Sequence, residues 1–432
     1  MDINDILNSG IIGAGGAGFP THVKLNSNPE VLIMNAAECE PLLHKDMEIL
    51  RNFSDRVIEG FKIAMKITGA SHGIIGIKKK HHEIINLLST KINGNLELKQ
   101  VDDIYPAGDE ITLIYLTTNR VVQPGKLPIS VGCVVQNVET LYNIGLQKPV
   151  VEKFVSIAGA VKNPATIRVP IGISFADILN NFKITARNFV VRSGGLMMGE
   201  IEKDLSQVVT KRTGALIILP ADHYCVTMYE RFSTEHNIDQ IAKAACDQCT
   251  FCTDLCPRYL LGHPVRPETA MRNRMFSREG ENYYHLGNAF CCECNLCTMY
   301  ACPESLDPKG ATLIEKRLLH KDNQKWEGLP VTPHPMVEYR KAPTKKLMQR
   351  LDVLKFKDEG PLSDMEFSPA TVTIPLSQHI GAPAQPTVEK GVSVKKYELI
   401  GQAQGNISAN IHASIDGRVV DVNEQKIVIQ RL

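Results

Sequence analysis

Nine of the chain's twelve cysteines fall between positions 246 and 302, and this crowding restricts the possible fold more than any other feature. The first run is Cys246-x-x-Cys249-x-x-Cys252-x-x-x-Cys256-Pro257. Three thiols at x-x intervals can wrap a turn around one cubane, and a fourth, followed by proline, reaches the other cluster; this is the bacterial ferredoxin spacing for [4Fe-4S] ligation. Zinc is the competing reading, but zinc sites usually pair one C-x-x-C with a distant second pair. The second run extends from Cys291 to Pro303. Read from Cys291 it gives x-x, x-x and then four residues before Cys302, one more than the first run. Choosing Cys292 would leave one residue before Cys294, so Cys292 is expected to be the spare thiol. Cys39, Cys133 and Cys225 are isolated in sequence and are expected to be structural, since free cysteine is among the most buried residue types.

A second constraint lies near the N-terminus, where Gly13, Gly15, Gly16 and Gly18 crowd into Gly13-Ala14-Gly15-Gly16-Ala17-Gly18-Phe19-Pro20-Thr21. Glycines let a loop take positive φ and bring backbone N–H groups against an anion, as phosphate-binding loops do. The run Val31 to Ala37 reads as a buried strand and leads into Glu38 and Glu40, acceptors for ribityl hydroxyls or ring N–H groups. A tight turn in an ordinary α/β domain is the plain alternative.

Around these two features the chain reads as several modules. Residues 1–150 alternate strand-like and helix-like patterns: a helix over Asp55 to Thr68, a strand over Gly73 to Ile77 and a helix over His81 to Lys91, which argues an α/β domain with a mainly parallel sheet. Lys78-Lys79-Lys80-His81-His82 reads as the exposed start of that last helix. Residues 151–235 begin with a strand, Phe154 to Val161, and contain a short helix from Ser174 to Asn180 with Ser174 as its N-cap. Residues 236–325 hold the cysteines between helical patches, and residues 326–370, from Trp326 onward rich in proline and lysine, read as a surface-crossing linker. Residues 371–432 alternate apolar and polar positions between glycines and read as a small all-β unit, with Ile411 to Val419 as one hairpin region. Net charge is +1, which gives no support for nucleic-acid binding. No run of eighteen apolar residues occurs, and Met1-Asp2-Ile3-Asn4-Asp5 is acidic where a secretory signal would be basic, so a cytoplasmic protein that is not integral to a membrane is expected.

Four ordered motifs, Gly15-Gly16-Ala17-Gly18-Phe19-Pro20-Thr21-x-x-Lys24, Asn35 to Pro41, Tyr105-Pro106-Ala107-Gly108-Asp109-Glu110 and Val135-Gln136-Asn137-Val138-Glu139-Thr140, resemble the FMN site of the flavoprotein component of complex I. The likeness is closer to the RnfC-type electron-transfer subunits and to the cobalamin reductases of propanediol-using microcompartments. The resemblance implies a multidomain fold: an α/β FMN and NADH domain, a soluble-ligand-binding β-grasp module, an α-helical ferredoxin-like segment and a barrel-sandwich hybrid. Ser193 to Gly199 resembles the glycine–methionine loop of the β-grasp module, a plain flexible loop being the alternative. The last module stands at the C-terminus, as in the cobalamin reductases, and has no lysine at the hairpin tip where a swinging-arm carrier needs one.

By the same resemblance Gly13, Gly15, Gly16 and Gly18 approach the FMN phosphate and Lys24 supplies charge. Asn35, Glu38, Tyr105, Gly108, Asn137 and Thr140 line the flavin. Phe19 stacks on NADH and Glu110 hydrogen-bonds the cofactor; the bland alternatives are a core phenylalanine and a helix-capping glutamate. One contact fewer to the flavin is expected at Ala37, where complex I has an aspartate. The family's exchange of ligands assigns Cys246, Cys249, Cys252 and Cys302 to one cluster and Cys291, Cys294, Cys297 and Cys256 to the other. The implied function is electron transfer from NADH through FMN and two [4Fe-4S] clusters to a cobalamin or a corrinoid-handling protein, in the cytoplasm or inside a microcompartment whose shell is a further partner. The alternatives are an RnfC-like component serving a partner protein and a non-enzymatic ligand-sensing scaffold. The sequence carries no Asp-x-His-x-x-Gly corrinoid signature and no second glycine fingerprint for a separate Rossmann domain.

Overall fold

The computed structural model describes residues 1–232, 234–276, 285–321 and 328–432. The boundary expected between residues 325 and 326, and Trp326 with it, lies outside them. The N-terminal sheet is fully parallel and has the strand order Leu96–Val101, His72–Lys78, Val31–Ala36, Cys133–Asn137. A parallel sheet is covered on both faces, which explains why Val31–Ala36 reads as a continuous apolar run. Leu32, Met34 and Ala36 enter one core with Phe61, Ala64 and Leu141, while Val31 and Ile33 enter another with Leu113 and Ile114.

The helix expected from Asp55 begins earlier, at Lys45, and runs to Thr68 with a kink at Phe53 and a left-handed cap at Gly69. Its polar first turn escaped periodicity because Lys45, Asp46 and Glu48 are buried among ionic partners. It crosses the helix Val138–Leu146 at two glycines: a Cβ on Gly60 would stand 1.8 Å from the Leu141 carbonyl oxygen, and one on Gly145 2.0 Å from that of Arg56. The lysine run also needs correction. Lys78 ends a strand and is fully buried, its Nζ 2.7 Å from Asp103 and 3.1 Å from Thr344 Oγ1, and the helix starts at His82.

A second, mixed sheet of five strands follows, in the order Ala165–Pro170, Glu152–Gly159, Ala215–Pro220, Phe189–Ser193, Glu200–Glu202. Ser174 caps the helix Phe175–Leu179 by accepting the Asp177 N–H at 3.0 Å. In the cysteine-rich segment the helices Glu235–Ala245, Pro267–Phe276 and Pro308–Lys321 pack around short turns that carry the thiols. The additional residue before Cys302 is taken up by a π-helical turn, Cys297–Ala301, in which the Cys302 N–H donates to the Cys297 carbonyl at 3.1 Å. Proline follows Cys302 and Cys256 alike, so both runs leave their turns in the same way.

The connection to the C-terminal unit is laced into the modules it passes. Ala342–Pro343 pairs with Ile104–Tyr105, the helix Thr344–Arg350 buries Leu347 and Met348, and Thr166 exchanges hydrogen bonds with Pro361 and Ser363. The C-terminal unit has two sheets around one core: Thr371–Pro375, Lys426–Gln430, Gly417–Val422, Ser393–Val394, and Gln385–Pro386, Leu399–Gln402, Ile411–His412. The expected hairpin over Ile411 to Val419 is therefore wrong. Ile411–His412 pairs with Leu399–Gln402 and Gly417–Val422 with Lys426–Gln430, so this stretch crosses between sheets.

Candidate functional site

The glycine loop lies beyond the C-terminal ends of Val31–Ala36 and Cys133–Asn137, the edge where open parallel sheets bind ligands. It is fastened from several directions. Gly13 N–H donates to the Phe19 carbonyl at 2.9 Å, Ala14 N–H to Thr140 Oγ1 at 2.9 Å, and Lys153 Nζ to the Ala14 carbonyl at 3.2 Å. From the second sheet Arg212 Nε donates to the Gly16 carbonyl at 2.9 Å, and from the C-terminal unit the Ile380 N–H donates to the Gly18 carbonyl at 3.1 Å. A Cβ on Gly15 would stand in ordinary contact with the Asn137 side chain at 3.5 Å, while Gly16, at φ +112°, has open space beside it.

The next two motifs are zipped together. Asn35, at the end of its strand, donates to the Gly108 carbonyl at 2.8 Å and accepts the Ala37 N–H at 3.2 Å. Gly108 donates to Cys39 Sγ at 3.4 Å, and a side chain there would meet the Ala37 carbonyl oxygen at 2.8 Å, so only glycine allows this approach. Glu38 accepts the Asp46 N–H at 3.4 Å through one oxygen, and its other oxygen is buried with no partner. Burial first, then the Asp46 charge, raises the Glu38 carboxyl to about 7.

Beneath this cradle lies a buried charge network that sequence reasoning missed. Lys45 bridges Asp46 at 2.6 Å and Glu139 at 3.1 Å, Lys153 also pairs with Glu139, and Asn137 donates to Asp46 at 2.7 Å. Burial opposes ionisation of Glu139, but Lys153 and Lys45 outweigh it and hold the carboxyl below its usual range; burial lowers Lys153 to about 8. Buried charges persist when paired in this way. The legible signal was Lys45-Asp46-Met47-Glu48 at the start of an amphipathic helix.

Lys24 and Glu110 meet in an ion pair at 2.5 Å. The capping role falls to Asp109, which accepts the Thr112 N–H at 3.0 Å, while Glu110 stands in the first turn of Glu110–Thr118. Phe19 is half-buried and belongs to no hydrophobic core among the described residues, which weighs against the core alternative. Tyr105 is buried in the core shared with the cysteine-rich segment, and its hydroxyl donates to the Cys294 carbonyl at 2.6 Å. Asp109 also takes both arms of Arg258, at 2.6 and 2.9 Å, two residues after Cys256. The flavin-like motifs thus dock directly on cysteine-bearing turns. The loop Ser193 to Gly199 is likewise held: Glu40 accepts the Met197 and Met198 N–H groups at 2.8 and 3.0 Å, and Asn295 donates to the Met197 carbonyl at 3.2 Å.

The thiols fall into two groups. Burial raises Cys252 to about 12, and Glu268, Cys302, Cys249 and Cys246 reinforce the shift; Cys302 in turn feels Cys249 and Cys246. Burial likewise raises Cys256, on which the Cys292 and Cys291 thiols also act, and Cys297, on which Cys291, Cys256 and, from the first group, Cys252 act. Cys294 has Cys292, Cys256 and Cys297 around it. Cys292 sits inside the second group, hydrogen-bonded to Cys294, which lowers its pKa. Among the described residues no three His, Cys, Asp or Glu side chains converge as the ligands of a single ion would. Four thiols of one group and five of the other, Cys292 included, draw on both runs, a crowding that suits iron–sulfur ligation better than the paired C-x-x-C of a zinc site. For a flavin the fit rests on the open glycine cradle and the orphaned Glu38 oxygen.

Comparison with known proteins agrees with this geometry. Residues 6–146 match the Nuo51 FMN-binding domain, residues 245–307 a 4Fe-4S dicluster domain, and residues 355–431 the RnfC barrel sandwich hybrid domain. A component of the Na(+)-translocating ferredoxin:NAD(+) oxidoreductase complex from Acetobacterium woodii is 32% identical over 64% of this chain and 62% of its own length. Among solved structures, the NAD+-reducing [NiFe]-hydrogenase in its H2-reduced state superposes with a TM-score of 0.50 at 17% identity, covering 76% of this chain and 63% of that one, a likeness of fold alone. The cobalamin reductase PduS of Salmonella typhimurium is 38% identical over 98% of this chain and 95% of its own, and that of Citrobacter freundii is equally close. A chain that is 38% identical to these cobalamin reductases over 98% of its length, and that itself matches an FMN-binding and a 4Fe-4S dicluster domain, belongs to the PduS cobalamin reductase family.

Proposed function

We propose that this chain takes electrons from NADH at an FMN site and delivers them through two [4Fe-4S] clusters to a corrinoid. The observation that carries the reading is the hydrogen bond from Tyr105, in a flavin motif, to the Cys294 carbonyl, which joins that motif to a cysteine-bearing turn and supports a short path between the two proposed cofactor sites. In this reading Gly13, Gly15, Gly16 and Gly18 present backbone to the phosphate, with Lys24 near it. Asn35, Glu38, Tyr105, Gly108, Asn137 and Thr140 line the flavin, and the unpartnered Glu38 oxygen accepts from a hydroxyl or ring N–H. Phe19 and Glu110 receive the nicotinamide nucleotide. Bound FMN would supply the exchange between a hydride donor and single-electron carriers, and the clusters a one-electron relay. Cys246, Cys249, Cys252 and Cys302 hold one cluster and Cys256, Cys291, Cys294 and Cys297 the other. The burial of Cys256, Cys294 and Cys297 excludes water from the second, while exposed Cys249 leaves an edge of the first open.

That open edge favours a second reading of the exit step, delivery to a docked protein: Phe251 beside it is 50% exposed. The modules are read as 1–150, 151–235, 236–325 and 371–432 with the connection 326–370. Among the described residues no helix is long and apolar enough to cross a membrane; a cytoplasmic location, inside a microcompartment, is part of the proposal. The deciding experiment is anaerobic: cluster- and flavin-loaded protein receives NADH with and without a cobalamin, and absorbance is followed. Bleaching of flavin and clusters by NADH, followed by reduction of the cobalt, is expected. Reduction by NADH with no transfer to any cobalamin would leave the protein-partner reading in its place.

A further inference from the structure

A flavin phosphate is an anion that a cation beside the glycine loop would hold more firmly than backbone N–H groups alone, and the lysines around that loop are already committed. Lys24 is paired with Glu110 at 2.5 Å. Lys45 and Lys153 are buried on Asp46 and Glu139. Lys211 is buried with its Nζ on the carbonyls of Gly10 and Asn410, at 2.6 and 2.8 Å.

Arg212 is different. It is exposed, no carboxylate pairs with it among the described residues, and its Nε donates to the Gly16 carbonyl at 2.9 Å. That bond uses one N–H of five and leaves the terminal fork of the guanidinium without a partner among the described residues. The stem lies across Gly18, where a Cβ would stand 2.8 Å from Arg212 Cδ. Gly18 is therefore doubly constrained, by its φ of +73° and by the arginine above it.

The turn that delivers Arg212 is fixed. The Lys211 N–H donates to Gln378 Oε1 at 2.9 Å, Arg212 N–H to Thr210 Oγ1 at 3.2 Å, and Thr210 N–H to Thr213 Oγ1 at 3.0 Å. Through Lys211 and Gln378 it is held by the N-terminal segment and the C-terminal unit together. The guanidinium is thus pre-positioned at the loop, and a planar fork suits phosphate oxygens better than an ammonium does.

We propose that Arg212, reaching across from the second sheet, is the cation that binds the phosphate of the flavin. This rests on the flavin reading and adds to it a second module's contribution to the binding site: the cradle is complete only when both sheets are docked.

The test compares FMN with riboflavin, which lacks the phosphate. Full-length, cluster-reconstituted, flavin-free protein is titrated with each under anaerobic conditions, and quenching of flavin fluorescence gives the affinities. Arg212→Ala is expected to weaken FMN about tenfold to a hundredfold, as loss of a charge-assisted hydrogen-bond pair does, and to leave riboflavin unchanged. Arg212→Lys should recover part of the loss. Lys24→Gln should lower FMN binding less than Arg212→Ala does. Equal weakening of both flavins by Arg212→Ala would assign the residue to loop shape and overturn the proposal, as would undiminished FMN binding. Absence of binding of either flavin to the wild-type chain is a separate result, which overturns the flavin reading and this inference with it. Because Arg212 is exposed, its substitution is not expected to disturb folding, and thermal unfolding of the flavin-free variants checks this.

Discussion

Glu38 holds the most perturbed carboxyl of the flavin cradle, with one oxygen buried and unpartnered and its pKa near 7. A folded-state value above the ordinary 4.5 means that the native chain binds more protons than the unfolded one between those two values. Stability from this group is therefore complete below about pH 4.5 and lost as pH rises through 7. Glu38→Gln should flatten that decline and leave flavin-free protein more stable at pH 8, by an amount on the order of 2 kcal/mol after allowance for coupling to Asp46. Urea unfolding at several pH values reads this, and an unchanged slope would refute it. At the opposite side of the site, Phe19→Ala and Glu110→Gln are expected to slow reduction of bound flavin by NADH at least about tenfold while dithionite still reduces the clusters. Should both variants accept hydride at the wild-type rate with flavin bound, a reduced protein partner becomes the electron source.

Between elements, the contact that decides site geometry is the crossing of Lys45–Thr68 over Val138–Leu146. The first helix carries Asp46 in its opening turn and the second carries Thr140 beside its cap Asn137, so their separation fixes the spacing of three groups in the cradle. With backbone as the obstacle at 1.8 Å, no rotamer change can make room for a side chain on Gly60. Gly60→Ala should cost about 3 kcal/mol or more in urea unfolding and lower FMN affinity through displaced Thr140 and Asn137. A fully stable Gly60→Ala protein would mean that this helix pair can part without cost. The docking of Tyr105 and Asp109 on the cysteine-bearing turns works in the same way, using side chains in place of glycines.

At the scale of the whole molecule, the C-terminal unit is a buttress of the glycine loop. Its Ile380 N–H holds the Gly18 carbonyl, its Asn410 carbonyl receives Lys211, and Ser414 donates to the Ile171 carbonyl at 2.5 Å. Ile380→Pro removes one N–H at a half-exposed position and should weaken FMN binding about fivefold, the worth of one net hydrogen bond, with the C-terminal sheets still protected from proteolysis. Unaltered affinity would leave the unit free for partner docking alone. What the sequence by itself determined are the features written in local spacing: the cysteine intervals, the glycine loop, the strand Val31–Ala36, the Ser174 cap. Each depends on residues a few positions apart, whose geometry the backbone fixes. Tertiary structure alone decided that Lys24 pairs with Glu110 across 86 positions, that Lys78 is buried, and that Arg212 meets Gly16 across 196. These contacts join segments far apart in sequence, within one module or between two, that only the packing of the folded chain brings together, and such pairings leave no periodicity in the chain. The exchange from one sheet to the other between Ile411 and Val419 was hidden for the same reason: alternation sets which face a residue takes, and only the folded core sets which strand lies beside it.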